Sequence, residues 1–206
     1  MQDAIIVHQP TTTPAQLILL FHGVGSRAED LQPLGQALGR HFAHACIVSV
    51  RSPDASDLGA GWQWFSVRGV DEANRPTRVA DAMPRFVQTV QHWQGETRLD
   101  AAATTLIGFS QGAIMALEST QQPVPLASRI IAIAGRFAQS PRRGPRDANV
   151  HLMHGETDPV IPVRLSALAL AQLLSLGATA TLDRFPDLGH GIDARVLERI
   201  IERMRG

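Results

Sequence analysis

Ala103-Thr104-Thr105-Leu106-Ile107-Gly108-Phe109-Ser110-Gln111-Gly112-Ala113-Ile114-Met115-Ala116-Leu117 is the stretch on which the fold turns. An apolar, β-branched run ends at Gly108, and a helix-forming run begins at Gln111. The junction, Gly108-Phe109-Ser110-Gln111-Gly112, is a G-x-S-x-G pattern. A strand that turns sharply into a helix projects the serine outward, and flanking glycines let strand and helix approach closely. The helix then aims its N-terminal amides and positive dipole end at the space beyond the serine. Ser110 is therefore the candidate nucleophile, and the Gln111 amide a candidate oxyanion donor.

Outward from this junction, short apolar strands alternate with helical stretches. Strands are expected at Ala4 to His8, Leu17 to Phe21, Ala45 to Val50, Arg129 to Ala134, Val150 to Met153 and Thr179 to Phe185. Leu17 to Phe21 is apolar on both faces, as a doubly covered strand requires. Helical spacing marks Asp30 to Phe42, Thr77 to Trp93, Pro162 to Ser175 and Ile192 to Met204, with Pro84 expected to kink the second or divide it. This alternation implies an α/β fold with a mostly parallel central sheet and helices on both faces. In such sheets the ligand cleft lies beyond the carboxyl ends of the strands. The 206 residues suit one domain spanning 1–206, with no repeat or linker to divide it.

A serine nucleophile needs an imidazole to take its proton and a carboxylate to fix the tautomer, here in the chain order Ser, acid, His. Asp158 lies after a strand in His154-Gly155-Glu156-Thr157-Asp158-Pro159-Val160-Ile161-Pro162, with Glu156 as its rival. His190 lies between Gly189 and Gly191, after the last strand, where the base is required. The turn Phe21-His22-Gly23-Val24-Gly25-Ser26 ends a buried strand, and its Val24 amide is the second candidate oxyanion donor. That turn lacks G-x-G-x-x-G and a P-loop lysine, so phosphate binding is a weak reading. No His/Cys/Asp cluster has metal spacing, so no metal is expected.

Taken together, His22-Gly23-Val24-Gly25, Gly61-Trp62-Gln63-Trp64-Phe65, Gly108-Phe109-Ser110-Gln111-Gly112, His154-Gly155-Glu156-Thr157-Asp158-Pro159-Val160 and Leu188-Gly189-His190-Gly191 resemble the carboxylesterase/acyl-protein thioesterase family of the α/β-hydrolase superfamily, with the bacterial YpfH-type esterases nearest within it. The resemblance runs over nearly the whole chain. It implies a cofactor-independent hydrolase of carboxylic esters or thioesters. It also implies a pocket wall at Trp64 and Phe65, to which we add Trp62. Two departures bear on the substrate: the family's Trp-Phe-Asp reads Trp64-Phe65-Ser66, and the small residues after the fourth strand become Ala134-Gly135-Arg136-Phe137.

The segment between Ala134 and Val150 is too short for a helical lid, so an open, shallow cleft suited to accessible or short acyl groups is expected. The same segment carries Arg136, Arg142, Arg143 and Arg146, expected on the cleft side. They read either as a basic rim for anionic esters or as a solvated loop paired with acids such as Asp147.

Composition narrows the partners. The formal net charge is zero, so nothing favours nucleic acid or an anionic membrane. No apolar run has the length of a membrane span, and Met1-Gln2-Asp3 does not read as a signal peptide. Cys46 is the one cysteine, which excludes an internal disulfide and fits a reducing, cytoplasmic setting. The expected partner is a small-molecule ester or thioester, handled by a monomer or homodimer. Acyl transfer, amide hydrolysis and a non-catalytic binding protein on the same scaffold are the alternatives.

Overall fold

The computed structural model describes residues 4–145 and 147–206; Met1 to Asp3 and Arg146 lie outside it. In chain order the elements are β1 (Ala4–His8), β2 (Gln16–Phe21), α1 (Gln32–His41), β3 (Ala45–Val50), β4 (Asp54–Ala55), β5 (Trp62–Gln63), α2 (Arg75–Thr97), β6 (Thr104–Phe109), α3 (Gln111–Ser119), β7 (Arg129–Ile133), β8 (Asn149–Gly155), α4 (Arg164–Ser175), β9 (Ala180–Phe185) and α5 (Ala194–Arg205). Seven strands form one sheet in the order β1-β3-β2-β6-β7-β8-β9, while β4 and β5 form a small separate ribbon. Every neighbouring pair in the large sheet is parallel except β1 with β3 at the edge.

The period-2 alternation of a strand divides the core into two layers. In β2, Leu17, Leu19 and Phe21 join the layer under α2, α3 and α4, while Ile18 and Leu20 join the layer under α1 and α5. All nine residues of α3 are buried, as befits a helix covered by its neighbours on every side. It packs directly behind β6 and β7, which fixes the serine turn at the centre of the sheet's carboxyl edge.

Most elements fall where the sequence puts them, with ends displaced by one or two residues, or by four at the carboxyl end of α2. Pro84 is the exception: α2 runs unbroken through it. Proline removes the bond to the carbonyl four residues earlier, that of Ala80. Both Pro84 and Ala80 are exposed, so water can serve that carbonyl.

The crossover from β7 to β8 contains no helix or strand among its described residues. Because both strands point the same way, it must travel from the carboxyl edge of the sheet to the amino edge. Only its first part, around Arg136, is therefore near the cleft. The Arg142 and Arg143 amides instead donate to Gln121 Oε1, at 2.8 and 3.2 Å, beyond the far end of α3. The expectation that all four arginines lie on the cleft side is corrected accordingly: Arg136 reaches the cleft, Arg142 and Arg143 lie at the opposite edge as part of a solvated loop, and Arg146 falls outside the described residues.

Candidate active site

Four of the parallel strands, β2, β6, β8 and β9, end at loops that meet beyond the same edge of the sheet. Ser110 follows β6 at φ 53°, ψ −114°, a strained conformation for a residue with a side chain. The neighbouring glycines show why the turn holds. A Cβ on Gly108 would lie 2.4 Å from the Gly112 carbonyl oxygen, and one on Gly112 would lie 2.2 Å from that of Phe21. No side chain fits at either position, so the G-x-S-x-G spacing follows from backbone packed on backbone.

His190, on the loop after β9, reaches back to Ser110, its Nε2 2.9 Å from Ser110 Oγ. Its Nδ1 lies 2.7 Å from Asp158 Oδ2. An ionised carboxylate only accepts, so the Nδ1 hydrogen donates to Asp158 and Nε2 is left to accept from the serine. The Asp158 side chain is fully buried and that of His190 is 17% exposed. Burial pushes the Asp158 carboxyl up. The bond from His190 and those from the Ile161 and Val160 amides outweigh it, and the group titrates below its ordinary range. Those amides donate to Asp158 Oδ1 at 2.8 Å from Val160 and 2.9 Å from Ile161. Glu156, the rival acid, pairs with half-exposed Arg184 at 3.0 Å, away from the imidazole.

A second imidazole stands behind the carboxylate. His154 Nε2 is 2.7 Å from the Ile161 carbonyl and 3.2 Å from Asp158 Oδ2, and its Nδ1 is 2.7 Å from Ser166 Oγ. Burial holds this ring below its ordinary pKa, so it stays neutral and braces the acid loop against α4. His22 does similar work under the first turn. Its Nε2 accepts from the Ser52 amide at 3.1 Å and its Nδ1 donates to the Gly23 carbonyl at 2.7 Å.

Val24 and Gln111 line one cleft with Ser110, and the Val24 amide hydrogen has no acceptor among the described residues. The cleft encloses about 520 Å³, and Phe65 and Ile114 form part of its wall. The tryptophans are elsewhere. Trp64 is fully buried, its ring 5.9 Å from that of Phe21 and 5.0 Å from that of Phe86, so it belongs to the core. Trp62, in β5, carries the Arg51 guanidinium 3.7 Å above its ring and bonds through its backbone to Gly25 and Ser26. The expected pocket wall of Trp64, Phe65 and Trp62 is thus corrected to Phe65. Trp64 is drawn inward because it completes an aromatic cluster under β2, and Trp62 braces the Val24 turn from outside.

Three features of the site escaped sequence reasoning. The Gln111 side chain ties α3 to residues 64 and 65. His154 touches the acid. Glu72, Arg75 and Arg164 line the cleft beside Arg136. The proline just inside α2 and the one just ahead of α4 mark helix starts, and in a parallel sheet such starts lie near the cleft; that signal could have found Arg75 and Arg164. Nothing local announces Glu72.

The chain matches the Phospholipase/Carboxylesterase family over residues 2–205. It is 43% identical over 203 residues to Esterase YpfH of Escherichia coli strain K12, covering 98% of this chain and 88% of that one. It is 27% identical to Acyl-protein thioesterase 1 of Kluyveromyces lactis, covering 79% of this chain and 78% of that one. Among solved structures, esterase PE8 superposes with a TM-score of 0.89 at 28% identity, covering 99% of this chain and 97% of PE8. A carboxylesterase of Bacillus cereus shares the fold, with a TM-score of 0.80 at 20% identity over 100% of this chain and 94% of that one.

Proposed function

The chain belongs to the phospholipase/carboxylesterase family of α/β-hydrolases, and from that premise we propose that it is a serine esterase working through Ser110, His190 and Asp158. The observation that carries this reading is the continuous relay from Ser110 Oγ to His190 Nε2, 2.9 Å, and from His190 Nδ1 to Asp158 Oδ2, 2.7 Å. His190 removes the serine proton as Oγ attacks the ester carbonyl, and Asp158 stabilises the imidazolium that forms. The Val24 and Gln111 amides receive the oxyanion without having to reorganise. The alcohol leaves with the proton from His190, and water then cleaves the acyl-enzyme by the same steps in reverse roles.

Thioesters fit the same cycle, since a thiolate leaves more readily than an alkoxide. The cleft opens to solvent, which favours water over another acceptor in the second half of the cycle and supports hydrolysis over acyl transfer. Phe65 is assigned to the wall that holds the substrate's apolar part. The chain is assigned to act as one domain on small-molecule substrates, in a reducing compartment such as the cytoplasm, where the sole, buried Cys46 stays a thiol. Among the described residues no helix is long and apolar enough to cross a membrane.

The test is labelling with a fluorophosphonate, followed by a panel of nitrophenyl esters and acyl thioesters of graded chain length. An adduct on Ser110, with ester turnover lost on labelling, is the expected result. Ester turnover that survives full occupancy of Ser110 would overturn the reading.

A further inference from the structure

The cleft beside Ser110 carries more positive charge than its apolar wall needs. Arg75, Arg136 and Arg164 all line it, against one acid, Glu72. The Glu72 carboxylate bridges two of them: Arg136 donates to it at 2.6 and 2.8 Å, and Arg75 at 2.6 Å. Three guanidinium groups against one carboxylate leave an excess of two positive charges. Arg164 is exposed, with no hydrogen-bond or ion-pair partner among the described residues. Arg136 and Arg75 are tucked in, at 16% and 15% exposure, while Glu72 is 70% exposed. The bridge therefore holds two arginines against the wall and leaves the third free.

The placement runs against local helix chemistry. Arg75 is the first residue of α2 and Arg164 the first of α4, and neither helix has an acid in its first turn. A cation at a helix N-terminus opposes the dipole and costs stability, so acids are favoured there. Both helices break the rule at the same cleft, and α3 also turns its N-terminus toward it. A rule broken twice at one site is where function is expected to outweigh stability.

We infer that this end of the cleft is an anion subsite, and that the preferred substrates are esters bearing a carboxylate a few bonds from the scissile carbonyl, such as half-esters of dicarboxylic acids. The inference rests on the serine esterase reading for its chemistry, but the charge arrangement stands by itself. Arg164 supplies the free donor fork, and Arg136 and Arg75 supply a field only partly offset by Glu72. The bonds from Arg136 and Arg75 bring the Glu72 carboxyl down to about 2, so the excess of two charges is constant across the working pH range. Phe65 and Ile114 cover the methylene chain between carbonyl and carboxylate.

The experiment compares monoethyl half-esters, from succinate to suberate, with their neutral counterparts in which a terminal amide replaces the carboxylate. The readout is the ratio of kcat/KM for the charged ester to that for the neutral one. Arg164→Gln is expected to lower the ratio threefold to tenfold at the chain length that is best in the wild type. Glu72→Gln is expected to raise it at least twofold, because it removes the opposing charge. Moving from 20 to 300 mM salt is expected to lower the wild-type ratio several-fold. Arg184→Gln, outside the cleft, serves as the control for nonspecific charge effects. A ratio that stays within twofold in Arg164→Gln, or that falls in Glu72→Gln, overturns the subsite. Turnover of the neutral esters reports the esterase chemistry separately: its persistence in Ser110→Ala would sink the serine reading while leaving the ratio to judge the subsite.

Discussion

The Gln111 carboxamide accepts the Trp64 amide at 2.7 Å, and through its other end donates to the Phe65 carbonyl at 2.8 Å. The residue that follows Ser110 thus fixes, through its side chain, the wall on which the substrate is proposed to lie. All three residues are buried, so neither backbone group has water as an alternative partner.

Gln111→Ala strands both backbone groups. The expected loss is about 1–3 kcal/mol of stability for each group left unsatisfied. The Gln111 backbone amide survives the substitution, so KM should rise more than kcat falls. Thermal unfolding and steady-state kinetics on one short-chain ester measure the two effects separately.

At Ser110 the proposed nucleophile and a strained backbone coincide. Ser110→Ala should lose about 10⁴-fold or more in kcat/KM while folding normally. Ser110→Gly should be equally inactive yet more stable than Ser110→Ala by about 1 kcal/mol, because glycine accepts a positive φ without the Cβ clash. Denaturant midpoints of the two inactive variants give the comparison; an alanine variant that is the more stable would contradict the strain.

Gly23 packs against the same serine. A Cβ there would sit 3.1 Å from Ser110 Cβ and 3.5 Å from Ser110 Oγ. The contact is tight, and relieving it takes a shift of a few tenths of an ångström in Ser110 and the turn that carries it. Gly23→Ala should therefore fold, with kcat reduced by about tenfold to a hundredfold through misplacement of Oγ. Ester kinetics beside a circular-dichroism melt separate this outcome from unfolding.

The hydrogen-bonded chain of Ser110, His190 and Asp158 was legible because each member sits in a short motif just past an apolar strand, and chain order supplies the roles proposed for them. What could not be read is depth. Trp62, in the two-residue strand β5, and Trp64, just after it, lie in a stretch too short for periodicity to say which way a side chain points. Trp64 goes inward because Phe86, in α2, and Phe21, in β2, leave a space for it. The Glu72–Arg136 pair joins residues 64 positions apart, so no window of sequence contains it. The arginine-rich loop misled for a topological reason: a crossover between parallel strands visits both edges of the sheet, and composition does not tell which part lies at which edge.

His151, in β8, is 7% exposed, and its Nδ1 is 2.9 Å from Thr181 Oγ1. Burial first, then the charges of Arg203 and Arg129, bring its pKa down to about 4 from 6.5. Between those values the unfolded chain binds a proton that the folded chain does not. Its contribution to stability is full above 6.5 and is lost progressively as pH falls toward 4, for about 3 kcal/mol in all. Urea unfolding of His151→Gln at pH 7 and pH 4.5 should show a smaller difference between the two pH values than the wild type. An equal difference would mean that other groups account for the acid sensitivity.

Among the described residues the irregular crossover after β7 places no helix over the mouth of the cleft, and this bears on how the enzyme meets substrate that has left solution. Lipases that hide their serine under a helix speed up abruptly when the ester forms droplets or micelles, because the interface pulls the cover away. With nothing to pull away, velocity here should follow dissolved monomer alone and flatten, without a jump, once the critical micelle concentration is passed.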